Sequence, residues 1–237
     1  MTDSLQKYLA ELLGTFTLVF VGTMGILAAT GEAPIRNVAI AFAFGLALLA
    51  GLYAFADVSG GHFNPGVSLA LFLDKRLEAQ DMIAYWVAQL AGAVLGSLCV
   101  LIAFDQDAVA STATLPGAPG AGTALFLELL ATAVFVLVIL NSTAIERHAG
   151  TALVAIPLTL VAAHLALIPF SGSSLNTARS FGPALIGSEW TDFWVYIVGP
   201  LGGAIIGWLV YTVVVSGKPL MPQPPPGRPP TTGEGST

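Results

Sequence analysis

The chain has 237 residues, 55% of them hydrophobic and 9% charged, with a mean hydropathy of +0.82 and a formal net charge of −6. A soluble domain carries about 25% charged residues, so this composition cannot clothe a water-facing surface and excludes an ordinary soluble protein. The few basic residues form no patch for nucleic acid, and a single cysteine, Cys99, excludes an intramolecular disulfide and supplies no metal cluster.

A helix needs about 20 apolar residues to cross the hydrocarbon core of a bilayer. The first such run is 8–29; it follows Lys7, lacks a small-residue cleavage site, and reads as an uncleaved span rather than a signal peptide. A second covers 37–56. Next, Ser59-Gly60-Gly61 leads to Asn64 and a short apolar segment, 65–73, which at about 1.5 Å per residue reaches only halfway across. The third span is 81–104. The stretch 105–122 has no basic residue, as suits an external loop. Spans 123–141 and 151–169 follow, with Arg147 and His148 in the loop between them, where gating is an alternative to plain solvation. Ser171-Gly172-Ser173-Ser174 leads to Asn176 and a second short segment, 177–186, and the sixth span is 191–215. The expected division is therefore a membrane domain over 1–215 and a Pro-rich, disordered tail over 216–237.

Six spans put Lys7, Lys75, Arg76, Arg147, Lys218 and Arg228 on one side and Arg36 on the other. The majority side should be cytoplasmic, so both termini are expected inside a cell membrane crossed several times.

The two halves, about 1–104 and 120–215, repeat. Glu11 in AELLGTF is echoed by Glu128 in LELLATA, Asn64 by Asn176, and QLAGAVLG by PLGGAIIG, at offsets of 117, 112 and 111 residues. Each half holds three spans and one half-span. Three is odd, so the second half lies inverted, and inverted repeats with broken helices place a site near the bilayer midplane. The pairs Gly92/Gly96 and Gly203/Gly207 allow close helix crossing. The predicted fold is all-α: six membrane helices plus two re-entrant half-helices.

In that arrangement the N-termini of the two half-spans meet near the middle. Each carries partial positive charge and unpaired N–H groups. Asn64 and Asn176 can cap these helices with their oxygens and turn their NH₂ groups into the gap, where two donors would hold a water by its oxygen and the helix ends oppose cations. An ionisable group inside a membrane is functional by default, which singles out His164. Glu11 and Glu128 suit either a proton relay or a structural role, accepting N–H groups from the irregular loops; the structural role is preferred. Cys99 reads as a helix-packing residue. Ser171 or Ser173 near His164 invites a serine-protease reading, but there is no GxSG stretch and no cluster of metal ligands.

Over about residues 5–215, SGGHFNPGVS and SLNTARSFGPAL resemble the two Asn-Pro-Ala boxes of the aquaporins, or major intrinsic proteins. The boxes here are Asn64-Pro65-Gly66 and Asn176-Thr177-Ala178. Gly66 drops a methyl, which should loosen the midplane. Thr177 lacks the fixed φ of Pro, and its hydroxyl should cap locally instead. The resemblance implies a passive channel in the lipid bilayer, assembled as a homotetramer, with no cofactor and no catalytic residue. It also implies a narrow filter of Phe44, His164, Ser173 and Arg179, in which His164 and Arg179 donate hydrogen bonds. That set resembles the water-selective type. The alternative is a facilitator of other small uncharged solutes, such as glycerol, ammonia or hydrogen peroxide; glycerol facilitators of the family resemble a Trp and a Gly at the ring and His positions, and an Asp where this chain has Ser180. Against this, Ile197 stands where water channels usually carry Trp.

Overall fold

A computed structural model describes residues 3–144 and 149–217. Arg147, His148 and the Pro-rich tail lie outside the described residues, as do Lys218 and Arg228. The elements are helices α1 (Asp3–Ala28), α2 (Ala33–Ser59), α3 (Pro65–Leu73), α4 (Ala79–Ala103), α5 (Gln106–Ser111), α6 (Ala121–Ala144), α7 (Ala149–Ser171), α8 (Thr177–Gly187) and α9 (Val195–Val210), and a π turn, Tyr211–Ser216, that extends α9. Six of these helices are long and apolar enough to cross a membrane, and α3 and α8 are the two half-helices. The fold class is thus the one the sequence predicts.

Burial is inverted relative to a soluble protein. Ile35, Tyr53, Ile83, Ile102, Phe126 and Val214 face outward, while Glu11, Gln89, Glu128, His164 and Arg179 are buried. Outward apolar side chains suit a lipid solvent, and the buried polar groups are available to line or support a polar interior.

The two glycine pairs mark close helix contacts. A methyl on Gly92 would strike the Leu12 carbonyl of α1, and one on Gly203 would strike the Leu129 carbonyl of α6. Backbones approach there because no side chain intervenes. Each half-helix also packs on the last span of the other repeat, α3 on α9 and α8 on α4, so the repeats interlock.

Helix ends differ from the sequence reading by up to five residues, with α1 and α2 starting five and four residues early, and two further differences lie on the external side. The external stretch contains α5, signalled by Asp105, whose carboxylate accepts the Ala108 N–H at 2.8 Å as an N-cap. The sixth span starts at Val195, four residues late, because Ser188 closes α8 in the left-handed conformation and Asp192 is left-handed too, at φ 51°.

Candidate functional site

The centre of the molecule is built from two bent loops. Phe63 and Leu175, just before the two half-helices, both have left-handed backbone, at φ 48° and 53°. Such conformations cost of order 1–3 kcal/mol each and persist only where the surroundings hold them. Here a buried carboxylate does so in each repeat. Glu11 accepts from the N–H groups of His62 (2.9 Å) and Phe63 (2.7 Å), from the Ser59 hydroxyl (2.7 Å) and from Gln89 Nε2 (2.7 Å). Glu128 accepts from the N–H groups of Ser174 (2.8 Å) and Leu175 (2.8 Å) and from the Ser171 hydroxyl (2.7 Å). Tyr85 donates to the Ser59 carbonyl at 2.7 Å, and Tyr196 to the Ser171 carbonyl at 2.8 Å.

These loops bring Asn64 and Asn176 together as N-caps. Asn64 Oδ1 accepts from Gly66 N at 2.9 Å; Asn176 Oδ1 accepts from Ala178 N and Arg179 N at 3.0 and 3.2 Å. The amide nitrogens then cross between repeats. Asn64 Nδ2 donates to the Leu175 carbonyl and Asn176 Nδ2 to the Phe63 carbonyl, both at 2.8 Å. A primary amide carries two N–H groups. One of each is therefore spent tying the opposite loop, and one remains for the gap, two donors in all.

A cavity of about 20 Å³ touches both Asn side chains and Phe44, His164 and Arg179. That is roughly the room one water needs. A wider cavity of about 480 Å³ opens on the face that carries Lys7, Lys75 and Arg76. Leu48, His62 and Phe135 line both, so the two spaces lie side by side.

Phe44 of α2 and His164 of α7 stand with ring centroids 5.0 Å apart, and the Arg179 guanidinium lies 4.5 Å from the Phe44 centroid. All three side chains are buried. His164 Nδ1 bonds the Leu160 carbonyl at 3.1 Å, so Nδ1 carries a proton. In the neutral ring Nε2 is then an acceptor, not the donor expected from sequence. Nε2 and Arg179 Nε are buried and have no partner among the described residues. Ser173, also left-handed at φ 54°, is buried with an unpartnered hydroxyl, but it does not line the 20 Å³ cavity.

Thr114 went unnoticed in the sequence. The external loop folds over the end of α7, with Gly117 N donating to the Phe170 carbonyl at 2.9 Å. This carries Thr114 to α8, where its hydroxyl accepts from Arg179 Nη1 and, at 2.9 Å, from Ser180 Oγ. Nothing in the pattern flags it, because the loop has no counterpart in the repeat. The tyrosine and serine pairs were findable: Tyr85/Tyr196 and Ser59/Ser171 sit at the repeat offsets of 111 and 112.

Both altered box positions differ from expectation. A methyl on Gly66 would meet the Pro200 carbonyl at 3.1 Å, Asn64 Oδ1 at 3.3 Å and Ala204 Cβ at 3.4 Å. Gly66 thus faces α9 across a tight contact and leaves no loosened midplane. The Thr177 hydroxyl does not cap its own helix; it donates to the Tyr196 carbonyl of α9 at 2.8 Å.

The family model for the major intrinsic proteins matches residues 1–211. The chain belongs to that family. Its members are passive membrane channels rather than enzymes. A glycerol uptake facilitator-like protein of Lactiplantibacillus plantarum is 42% identical over 85% of this chain and 94% of its own length. An aquaporin Z of Brucella melitensis is 39% identical over 87% and 96%. An aquaglyceroporin of Plasmodium falciparum has the same fold, with a TM-score of 0.80 and 24% identity over 90% of this chain and 98% of that one.

Proposed function

We propose that this member of the family is a channel selective for water that excludes protons and ions. The observation that carries the reading is the ring of Phe44, His164 and Arg179, with centroids 5.0 Å apart across the first two and the guanidinium 4.5 Å from the phenyl centroid. Bulky groups gathered this closely support passage of water over a solute with a carbon skeleton. Arg179 supplies a fixed positive charge where water is stripped away, and there it is a large barrier to cations. At the midplane, Asn64 and Asn176 each offer one remaining N–H, so a water between them accepts two bonds at its oxygen and points its hydrogens outward. That orientation interrupts a chain of proton transfers. Glu11 and Glu128 act structurally, with their oxygens occupied by the loops rather than by a relay. Ser173 completes the small side of the filter. The channel works as a homotetramer in the cell membrane, with the 480 Å³ cavity and both termini facing the cytoplasm; the cations Lys7, Lys75 and Arg76 around that cavity support the orientation.

Passage of glycerol is the second reading, favoured by the relative named a glycerol uptake facilitator-like protein. Water and glycerol fluxes in proteoliposomes, measured by stopped-flow light scattering, separate the two. The unaltered channel should pass water fast and glycerol at the level of empty vesicles, and Phe44→Trp with His164→Gly should admit glycerol. Equal glycerol flux in both would overturn the filter assignment. A pH-dye assay should report no proton leak until Arg179 is replaced by Val.

A further inference from the structure

Helix α9 carries a proline, Pro200, in its second turn. Proline has no N–H, so the carbonyl four residues earlier loses its helical partner. That carbonyl belongs to Tyr196, and the group that reaches it is the Thr177 hydroxyl, at 2.8 Å. Thr177 is the first residue of α8, immediately after Asn176 and two before Arg179. The hydroxyl therefore ties the start of the half-helix that presents both the midplane amide and the filter guanidinium.

The first repeat makes a corresponding tie with the opposite polarity. Pro65, the counterpart of Thr177, has no donor, but its carbonyl accepts from Trp86 Nε1 of α4 at 3.0 Å. The counterpart of Trp86 in α9 is Ile197, which has no donor, and the counterpart of Pro200 is Gln89, which does not interrupt its helix. So α4 donates to the first residue of α3, whereas the first residue of α8 donates to α9. Thr177, Ile197 and Pro200 are three departures from the first repeat that together leave one bond.

We infer that Thr177 is a positioning residue for permeation: its hydroxyl, clasped to the Tyr196 carbonyl, fixes the height and tilt of α8 and so sets Asn176 and Arg179 at the distances that discriminate water from larger solutes. The inference rests on the channel reading above, and the flux of the unaltered protein tests that reading separately.

The test uses full-length protein in proteoliposomes, with water and glycerol permeability measured per reconstituted channel. Thr177→Val keeps the shape and removes the donor. Losing one buried hydrogen bond should lower the population of the clasped position roughly fivefold, read as water permeability down about threefold and the glycerol-to-water ratio up by a similar factor. Thr177→Ser keeps the hydroxyl and should stay near the parent on both measures. Thr177→Pro combined with Ile197→Trp should restore both, because the indole would then donate to the carbonyl of residue 177 as Trp86 does to Pro65. Recovery of the flux ratio in that double variant would separate positioning from simple loss of fold, and it decides the matter even if Thr177→Val is obtained in poor yield. Parent-like selectivity in Thr177→Val, or failure of the serine and swapped variants to restore it, would overturn the inference.

Discussion

The two repeats solve one backbone problem with different side chains. Each must hold a left-handed residue, Phe63 or Leu175, before a half-helix in the middle of the molecule. The first repeat does so with four donors on Glu11, including Gln89 of α4. The second uses three on Glu128, because Pro200 stands where Gln89 would be. His62 Nδ1 contacts Ser68 Oγ at 3.1 Å in the first repeat; in the second, Ser174 and Ser180 hydroxyls meet at 2.6 Å. The buried cation proposed for the filter is one-sided as well: Arg179 corresponds to the apolar Val67. Where the repeats agree, they hold the backbone. Where they diverge, the first repeat builds a stiffer anchor and the second carries three of the four groups proposed to select, His164, Ser173 and Arg179, while Phe44 comes from the first.

The largest effect should come from breaking the anchors. Replacing Glu11 by Ala takes the acceptor from three donors, the Ser59 hydroxyl and the N–H groups of His62 and Phe63, of which the first and last are buried, while Gln89 retains its bond to Ser68 Oγ at 3.0 Å. Bonds to a charged group are worth about 1.5–3 kcal/mol each, and an abandoned buried donor costs about 1–3 kcal/mol. Glu11→Ala should therefore lose more than about 4 kcal/mol and be recovered mostly unfolded. Glu128→Ala abandons three donors too but loses three bonds rather than four, so it should be destabilised slightly less. Thermal unfolding in mild detergent checks the order. A more damaging Glu128→Ala would mean that donor number does not set anchor strength.

Much of this was legible in the sequence, for physical reasons. Bilayer thickness fixes span length, so six apolar runs announced six helices, and the short run 65–73 coincides with α3, Pro65–Leu73. The constant offset of Asn64 and Asn176 announced that two half-helices share a centre. What was not legible depends on contacts between segments far apart in the chain. Thr114 is 65 residues from Arg179 and sits in a loop without periodicity. The reach of Thr177 to Tyr196 follows from a proline in another helix. The crossing of the Asn amides to Leu175 and Phe63 depends on how closely the loops approach. The sequence pattern pointed to the loops that Glu11 and Glu128 hold, but not to the cross-repeat partners of Asn64 and Asn176 or to the partners of Thr177 and Arg179.

A middle-sized effect should sharpen the one-sidedness of the filter. Thr114→Val removes the acceptor of Arg179 Nη1 and of Ser180 Oγ, with no counterpart in the first repeat to compensate. The guanidinium gains freedom over the Phe44 ring but keeps its charge. The glycerol-to-water ratio should rise about two- to threefold, the size expected from losing roughly one net hydrogen bond, with no added proton leak. Thr114→Ser should remain at the parent value. If Thr114→Val leaks protons as strongly as Arg179→Val, Thr114 is holding the position of the whole loop rather than the orientation of one side chain.

The smallest effect separates packing from pore width at the altered first box. Gly66 and Ala178 are counterparts, so the first repeat lacks a methyl that the second has. If the missing methyl widened the pathway, Gly66→Ala would narrow it and lower flux. The geometry argues otherwise, because the added carbon would point at the Pro200 carbonyl and Ala204 Cβ of α9, at 3.1 and 3.4 Å, and Gly66 does not line the 20 Å³ cavity. A helix backbone cannot retreat as a flexible side chain can, so the cost appears as overpacking, at the low end of about 1–3 kcal/mol. Gly66→Ala should thus lower thermal stability by a few degrees and leave the glycerol-to-water ratio unchanged. Ala204→Gly in the same chain removes one of the three crowding atoms and should return part of the lost stability. A change in selectivity without a change in stability would put Gly66 back among the residues that shape the pore.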